Sequence, residues 1–269
     1  MKFLIACDLE GIHGVVGEPY KVLTESFDYQ AAIEGAVLEI ETAARALYDS
    51  GATEVLVWDN HGANRNIDFS RFHEKVTKVD GKSGKWRWDF AKDMDIKGVV
   101  FLGYHAKEGT PNGVLAHTFS SKAIQYVKLN GEAIGELYAD SRTCAKLGIK
   151  PMFHASDDIC VREMKEICPW VETVVTKFGR GRNCAELRER EEVLAEIYRG
   201  VRHAVEQLSE PYDCPFPEKA HLEVRYTRAE RADEMVQKAT DAAISVMRGE
   251  DTHTLHFELS APNQIAYLM

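Results

Sequence analysis

The sequence contains no long hydrophobic run. The opening MKFLIAC is apolar for only a few residues before Asp8 interrupts it, and no later segment approaches the roughly 20 apolar residues of a membrane span. A secreted or membrane-embedded protein is a poor reading; a cytoplasmic chain without a membrane partner is expected. Cysteine is sparse, with six residues at 7, 144, 160, 168, 184 and 214, and no C-x-x-C spacing. That excludes thiolate zinc motifs and redox motifs of that form and leaves buried reduced thiols as the expectation. Basic blocks are missing too: 33 Lys+Arg face 43 Asp+Glu, a formal charge of -10, which argues against nucleic acid as a partner. There is no Asn-x-Ser/Thr acceptor, no G-x-S-x-G elbow for a serine nucleophile, no internal repeat and no low-complexity tract.

What is present suits a large α/β protein. The 269 residues, 45% hydrophobic and 9% aromatic, can bury a substantial core. Short apolar runs rich in β-branched residues alternate with helical patterns, which predicts a mostly parallel central sheet flanked by helices. Strands are expected at 2–8, 54–58, 98–103, 151–155, 172–176 and 221–226. Residues 28–49 carry Ala32, Val37, Ile40, Ala44 and Leu47 at helical spacing with Gly51 as a stop, giving a β-α-β unit. Residues 116–129 read as extended chain closing on Asn130-Gly131, and helices are expected over 135–147 and about 184–207. Pro211, Pro215 and Pro217 form the best linker before a last strand-helix segment. Two parts are expected: a metal-binding α/β core over 1–160 and a closely packed second α/β part over 161–269 that completes the cleft.

The chemistry gathers at strand ends. Strand 2–8 runs into Asp8-Leu9-Glu10-Gly11, and alternation along extended chain points both acids the same way. Alone, such a pair is more often a loop cap or a solvated edge. Strand 54–58 ends in Asp59-Asn60-His61 and strand 98–103 in Tyr104-His105, placing two imidazoles outside the carboxyl ends of parallel strands, where open α/β sheets bind ligands. Each histidine alone is more often a hydrogen-bonded structural residue. Three successive strands ending in acid or imidazole predict a metal site. Glu136 reads equally as a ligand or as a helix-start carboxylate. His117, twelve residues past His105 across a loop from Gly109 to Gly113, reads equally as a site residue folded back over the cluster or as a strand-face histidine.

Carboxylates and neutral imidazoles without thiolate suit zinc, manganese or cobalt. Three carboxylates and two imidazoles exceed what one catalytic zinc needs, and suit two metals sharing a bridging acid. Two divalent ions against Asp8, Glu10 and Glu136 leave one positive charge, which an additional anion would neutralise. Gly179-Arg180-Gly181-Arg182 lacks the third glycine of a dinucleotide loop, so a basic loop is expected there, with carboxylate binding the minority reading, and no nucleotide cofactor. Asp157-Asp158 reads as a helix start.

The combination of Asp8-Leu9-Glu10-Gly11-Ile12, Asp59-Asn60-His61, Phe101 to Ala106, Ala116-His117 and Gly135-Glu136-Leu137 resembles the zinc-dependent D-aminopeptidase family, first described in Bacillus and historically labelled dipeptide-transport proteins. The similarity is strongest from 1 to about 160. The resemblance implies that Asp8, Glu10, His61, His105 and Glu136 are metal ligands, that Asp8 is shared between two zinc ions, and that His117 serves catalysis. It further implies a mixed α/β subunit and a ring-like homodecamer whose active sites face an inner chamber. The loop between His105 and His117 is one residue longer than the family pattern.

The leading expectation is therefore a di-zinc aminopeptidase that removes an N-terminal D-amino acid such as D-Ala from short peptides. The D-selectivity comes from the resemblance alone. Two other readings compete: a two-metal phosphoesterase or amidohydrolase, and a non-catalytic peptide-binding protein linked to dipeptide uptake.

Overall fold

Lys2–Cys7 is buried at every position but the first, and the strand it forms, β1, lies inside a sheet covered on both faces, which is why its sequence is continuously apolar rather than alternating. The computed structural model describes residues 1–81 and 86–269. After β1 come α1 (Tyr29–Asp49), β2 (Glu54–Asp59), β3 (Thr77–Val79), β4 (Ile96–Leu102), β5 (Ile124–Leu129), β6 (Glu132–Ala133) and α2 (Glu136–Lys146). These are followed by β7 (Lys150–Asp157), α3 (Asp158–Ile167), β8 (Glu172–Gly181), β9 (Cys184–Leu187) and α4 (Arg190–Glu206). The chain ends with β10 (Ala220–Tyr226), α5 (Ala229–Asp241), β11 (Ser245–Arg248), β12 (Thr254–Leu259) and α6 (Asn263–Tyr267).

Seven strands form the main sheet in the order β3-β2-β1-β4-β7-β8-β9, parallel throughout except for β9. The chain leaves β1 for β2 on one side and returns with β4 on the other, so β1 and β4 flank the topological switch point, whose carboxyl-end crevice is the favoured ligand position. One face packs on α1 and α4 through Phe3, Ile5, Ala36, Ile40, Ile197 and Val201; the other packs on α2 and α3 through Leu4, Phe101, Leu137, Ile159 and Met164. Tyr29–Asp49 forms a helix because its buried positions recur at helical spacing, and it stops where Gly51 adopts φ +91°. Asp157 starts α3 as expected, its carboxylate accepting from Ile159 N and Cys160 N.

A second, antiparallel sheet has the order β11-β12-β10-β5-β6. β10 alternates buried and half-buried positions, and its inward side joins Val127, Phe257 and Ile265 in a separate core under α5 and α6.

Two expectations need correction. The helix expected over about 184–207 begins only at Arg190; residues 184–187 instead pair with β8 as β9, because a hairpin partner satisfies backbone groups that β8 would otherwise leave open at the sheet edge. Extended chain expected from 116 begins at Ile124, and residues before it are turns. Strands β3, β6, β11 and β12 were not foreseen.

Candidate metal centre

Asp8 follows β1 and its amide donates to Leu102 O at 2.8 Å, which pins the acid against the end of β4. The turn from 8 to 12 is tightly packed: a Cβ on Gly11 would lie 2.2 Å from Tyr104 O, and Gly103, at φ +69°, leaves room for Asp8 O. From the far side β8 braces the same turn, Thr176 donating to Gly11 O at 2.7 Å and the buried Lys177 donating to Glu10 O at 2.6 Å and Ile12 O at 2.8 Å. Although residues 8–10 have left the strand, both carboxylates face the same way, with His61 Nδ1 2.9 Å from Asp8 Oδ1 and 3.2 Å from Glu10 Oε2. Asp59 holds the loop that carries His61, accepting from Asn66 N at 2.6 Å and Ile67 N at 2.9 Å, while Asn66 Nδ2 donates to His61 O at 2.7 Å.

His105 leaves the end of β4 and donates from Nδ1 to Ala106 O at 3.1 Å, turning Nε2 toward the acids. Nε2 is buried without a properly aligned hydrogen-bond partner, yet Glu136 Oε1 lies 3.2 Å and Asp8 Oδ2 3.6 Å away. A lone pair aimed between two carboxylates is what a shared cation would use. Glu136 opens α2 and also accepts from Phe119 N at 2.7 Å. The loop after His105 folds back, stacking the His117 ring on His105 with centroids 3.8 Å apart; His117 Nδ1 donates to Leu115 O at 2.8 Å and Nε2 lies 3.9 Å from Glu136 Oε1. Donor atoms of Asp8, Glu10 and His105 form one set within 4.8 Å of one another, and those of His105, His117 and Glu136 form another. All six residues singled out from sequence thus meet at one place, lining a cavity of about 220 Å³ except for the deeper His105.

The electrostatics favour added positive charge. Burial and the neighbouring Glu10 push the Asp8 carboxyl up to about 7. Burial opposes ionisation of Glu136, but the close contact and charge of His105, with His117 and Arg87, hold it at about 2. Burial likewise opposes protonation of His105, yet Glu136, Glu10 and Asp8 lift it to about 10; His61 is raised against burial by Glu10 and Asp8. Loss of solvent and the neighbouring His105 press the half-buried His117 down to about 4. Three crowded carboxylates draw protons onto two imidazoles, a demand that divalent cations satisfy while leaving the imidazoles neutral. The donor set, all oxygen and imidazole nitrogen, fits zinc, manganese or cobalt.

Sequence reasoning missed the support behind this cluster. Arg87 lies 4.0 Å from Glu136 Oε2 and is held by Asp140 through Nε at 2.8 Å and Nη2 at 2.9 Å. Asp140 also accepts from Trp88 Nε1 at 2.8 Å and Tyr104 OH at 2.7 Å. The available signal was Asp140 one turn after Glu136, hence on the same helix face. Lys177, directly after the strand expected at 172–176, lies within β8, and a lysine at that place was a second signal. The segment expected as a basic loop is mostly strand, since Gly179, Arg180 and Gly181 end β8 where it pairs with β9, and only Arg182 lies in the turn; Arg182 borders the cavity, its O accepting from Leu115 N at 2.7 Å and its guanidinium donating to Ala116 O, while Arg180 pairs with Glu186 at 2.7 Å.

With fold and site in hand, the class is an α/β protein with a buried acid-imidazole cluster at its switch point. The sequence profile of the D-aminopeptidase family matches residues 1–266, and the chain belongs to that family. The D-aminopeptidase of Bacillus subtilis (strain 168) is 28% identical over 180 residues, covering 66% of this chain and 64% of that relative, so the chain spans a little under two thirds of the relative's length. The solved structure of the zinc-dependent D-aminopeptidase DppA from Bacillus subtilis, a self-compartmentalizing protease, matches at TM-score 0.85 and 22% identity over 99% of this chain and 94% of that one. That likeness establishes the shared fold. Among the described residues no helix is long and apolar enough to cross a membrane.

Proposed function

We propose that the chain is a metallo-aminopeptidase that binds two divalent ions, zinc in the first instance, and cleaves the N-terminal residue, a D-amino acid such as D-Ala, from short peptides. The observation that carries the reading is the convergence of Asp8, Glu10, His105 and Glu136 on two donor sets that share His105, whose Nε2 is buried between carboxylates, with His61 Nδ1 2.9 Å from Asp8 Oδ1 and 3.2 Å from Glu10 Oε2. In this reading those five are the ligands, and Asp8, 2.9 Å from His61 and 3.6 Å from His105, is the acid both ions share. Bound there, divalent ions supply Lewis-acid polarisation of the scissile carbonyl and activation of water. His117, tied to Leu115 O through Nδ1, presents Nε2 to the cavity and moves a proton or stabilises developing negative charge. Family membership supports the D-aminopeptidase reading; that DppA is zinc-dependent and self-compartmentalizing supports zinc and an oligomeric assembly, proposed here as a homodecamer in the cytoplasm.

Metal analysis combined with a hydrolysis screen over paired L- and D-alanyl peptides tests this. Two ions per chain and metal-dependent release of D-Ala are expected. Faster turnover of p-nitrophenyl phosphate than of any peptide would favour the phosphoesterase reading, and stoichiometric peptide binding without turnover the uptake reading.

A further inference from the structure

Two thiols touch each other far from the metal cluster in sequence. Cys168 ends α3, and Cys214 lies in the connection between α4 and β10; their sulfurs are 3.7 Å apart. Cys168 is fully buried, whereas Cys214 is half-buried and lines a groove of about 490 Å³ together with Arg142 of α2. Arg142 Nη1 lies 2.6 Å from Cys214 Sγ, so a guanidinium donates directly to this sulfur. Apart from its stacking over the Tyr138 ring at 4.9 Å, the charge acting most on Arg142 is that of Cys214. Two cysteines in contact, one buried and one half-buried, could be plain packing residues, but packing does not call for an arginine aimed at one of them.

The arrangement separates the two sulfurs by role. A thiolate at Cys214 is stabilised by the donor behind it and the cation beside it, and that thiolate faces the groove. Cys168 donating to it, together with Arg142, brings the Cys214 thiol down to about 7 against burial, while the same contact and burial raise Cys168. Asp213, Cys144 and Tyr212 also face this sulfur, and they oppose its ionisation only in part.

We propose that Cys214 and Cys168 form a peroxide-reactive dithiol, a modification site at which a reversible disulfide is made. The Cys214 thiolate attacks one peroxide oxygen, the O–O bond breaks, hydroxide departs, and Cys214 becomes a sulfenic acid. Cys168 sulfur then attacks the sulfenic sulfur, the S–S bond forms, and the hydroxyl leaves with the Cys168 proton as water. The two electrons lost by the two thiols reduce the peroxide. The sulfurs, 3.7 Å apart, then close to a bond of about 2 Å. This inference does not rest on the proposed peptidase activity.

Cys184, the exposed thiol, is an internal reference. Iodoacetamide labelling of the full chain at pH 7, read per cysteine by peptide mass, should show Cys214 reacting roughly 5–10 times faster than Cys184 despite its lower exposure. Arg142→Met should remove that advantage and Arg142→Lys should keep part of it, with Cys184 unchanged in both. Stoichiometric hydrogen peroxide should join the peptides holding Cys168 and Cys214, and dithiothreitol should release them. In Cys168→Ser the cross-link should vanish while dimedone traps the sulfenic acid at Cys214. Labelling of Cys184 ahead of Cys214, or peroxide oxidation without the 168–214 cross-link in the native chain, overturns the proposal.

Discussion

Asp140→Asn changes one atom and tests whether the support behind the metal cluster is electrostatic. Asp140 is 1% exposed and accepts four hydrogen bonds, from Arg87 Nε, Arg87 Nη2, Trp88 Nε1 and Tyr104 OH. The amide oxygen of asparagine can keep Arg87 Nε and Trp88 Nε1. Its NH2 group would then face Arg87 Nη2, donor against donor, and Tyr104 OH, which already accepts from Asn60 Nδ2 at 2.6 Å. The variant therefore loses the guanidinium's fork and leaves a cation whose side chain is only 19% exposed without its hydrogen-bonded counter-charge, a loss of roughly 3–5 kcal/mol. With an unfolding entropy of about 2.1 cal/mol/K per residue over 269 residues, that corresponds to a fall in Tm of roughly 5–9 °C. Thermal scans at fixed protein and metal concentration give the value. Adding Arg87→Met removes the stranded cation and should recover about half of the loss. Metal affinity should fall in the single variant too, since Arg87 then has only Glu136, 4.0 Å away, as a partner carboxylate in the cluster. A cost under about 1 kcal/mol, or an Arg87→Met change that adds to the loss, refutes the argument.

Asp8→Ala should be the most damaging ligand change, emptying both proposed ion positions at once; normal metal content and turnover in that variant would remove Asp8 from the bridge. His117→Ala should keep fold and metal while kcat falls roughly 10²–10⁴-fold, whereas His105→Ala should lose metal first. If the His117 variant loses metal to the same extent, His117 is a ligand. His154 is fully buried, and burial presses its imidazole down to about 3. Because the unfolded chain then binds the proton more tightly, stability present above about pH 6.5 is lost as pH falls toward 3, by up to about 1.4 kcal/mol per pH unit. Urea unfolding of metal-free protein at several acid pH values should give His154→Leu a shallower decline than the native chain; parallel curves would show that His154 is not what charges on unfolding.

The large sheet was legible because its signals are local. Runs such as 54–58 and 98–103 are apolar at nearly every position since helices cover both sides of the sheet, and helix 28–49 repeats its buried residues every third or fourth position. The gathering of acids and imidazoles was legible for a related reason: parallel strands bring their carboxyl ends to one edge, so Asp8, His61 and His105 could be assigned a common neighbourhood without coordinates. Glu136 and His117 could not. Their places depend on a loop folding back to stack one ring on another at 3.8 Å, and on Phe119 N reaching Glu136.

Where stability comes from one segment pairing with another, the primary structure marked one partner at most and never the pairing. β9 looks like the first turn of a helix until β8 offers it a ladder, and short strands such as β3 and β6 exist only because a neighbour pairs with them. Arg87 with Asp140, Lys177 with the carbonyls around Glu10, and Cys168 against Cys214 join residues 53, 167 and 46 positions apart. Periodicity reports the burial of a residue's own element, so it determined the strands, the long helices and the edge where chemistry collects. Ion pairs and hydrogen bonds between distant segments have no period, and only the folded chain decided them.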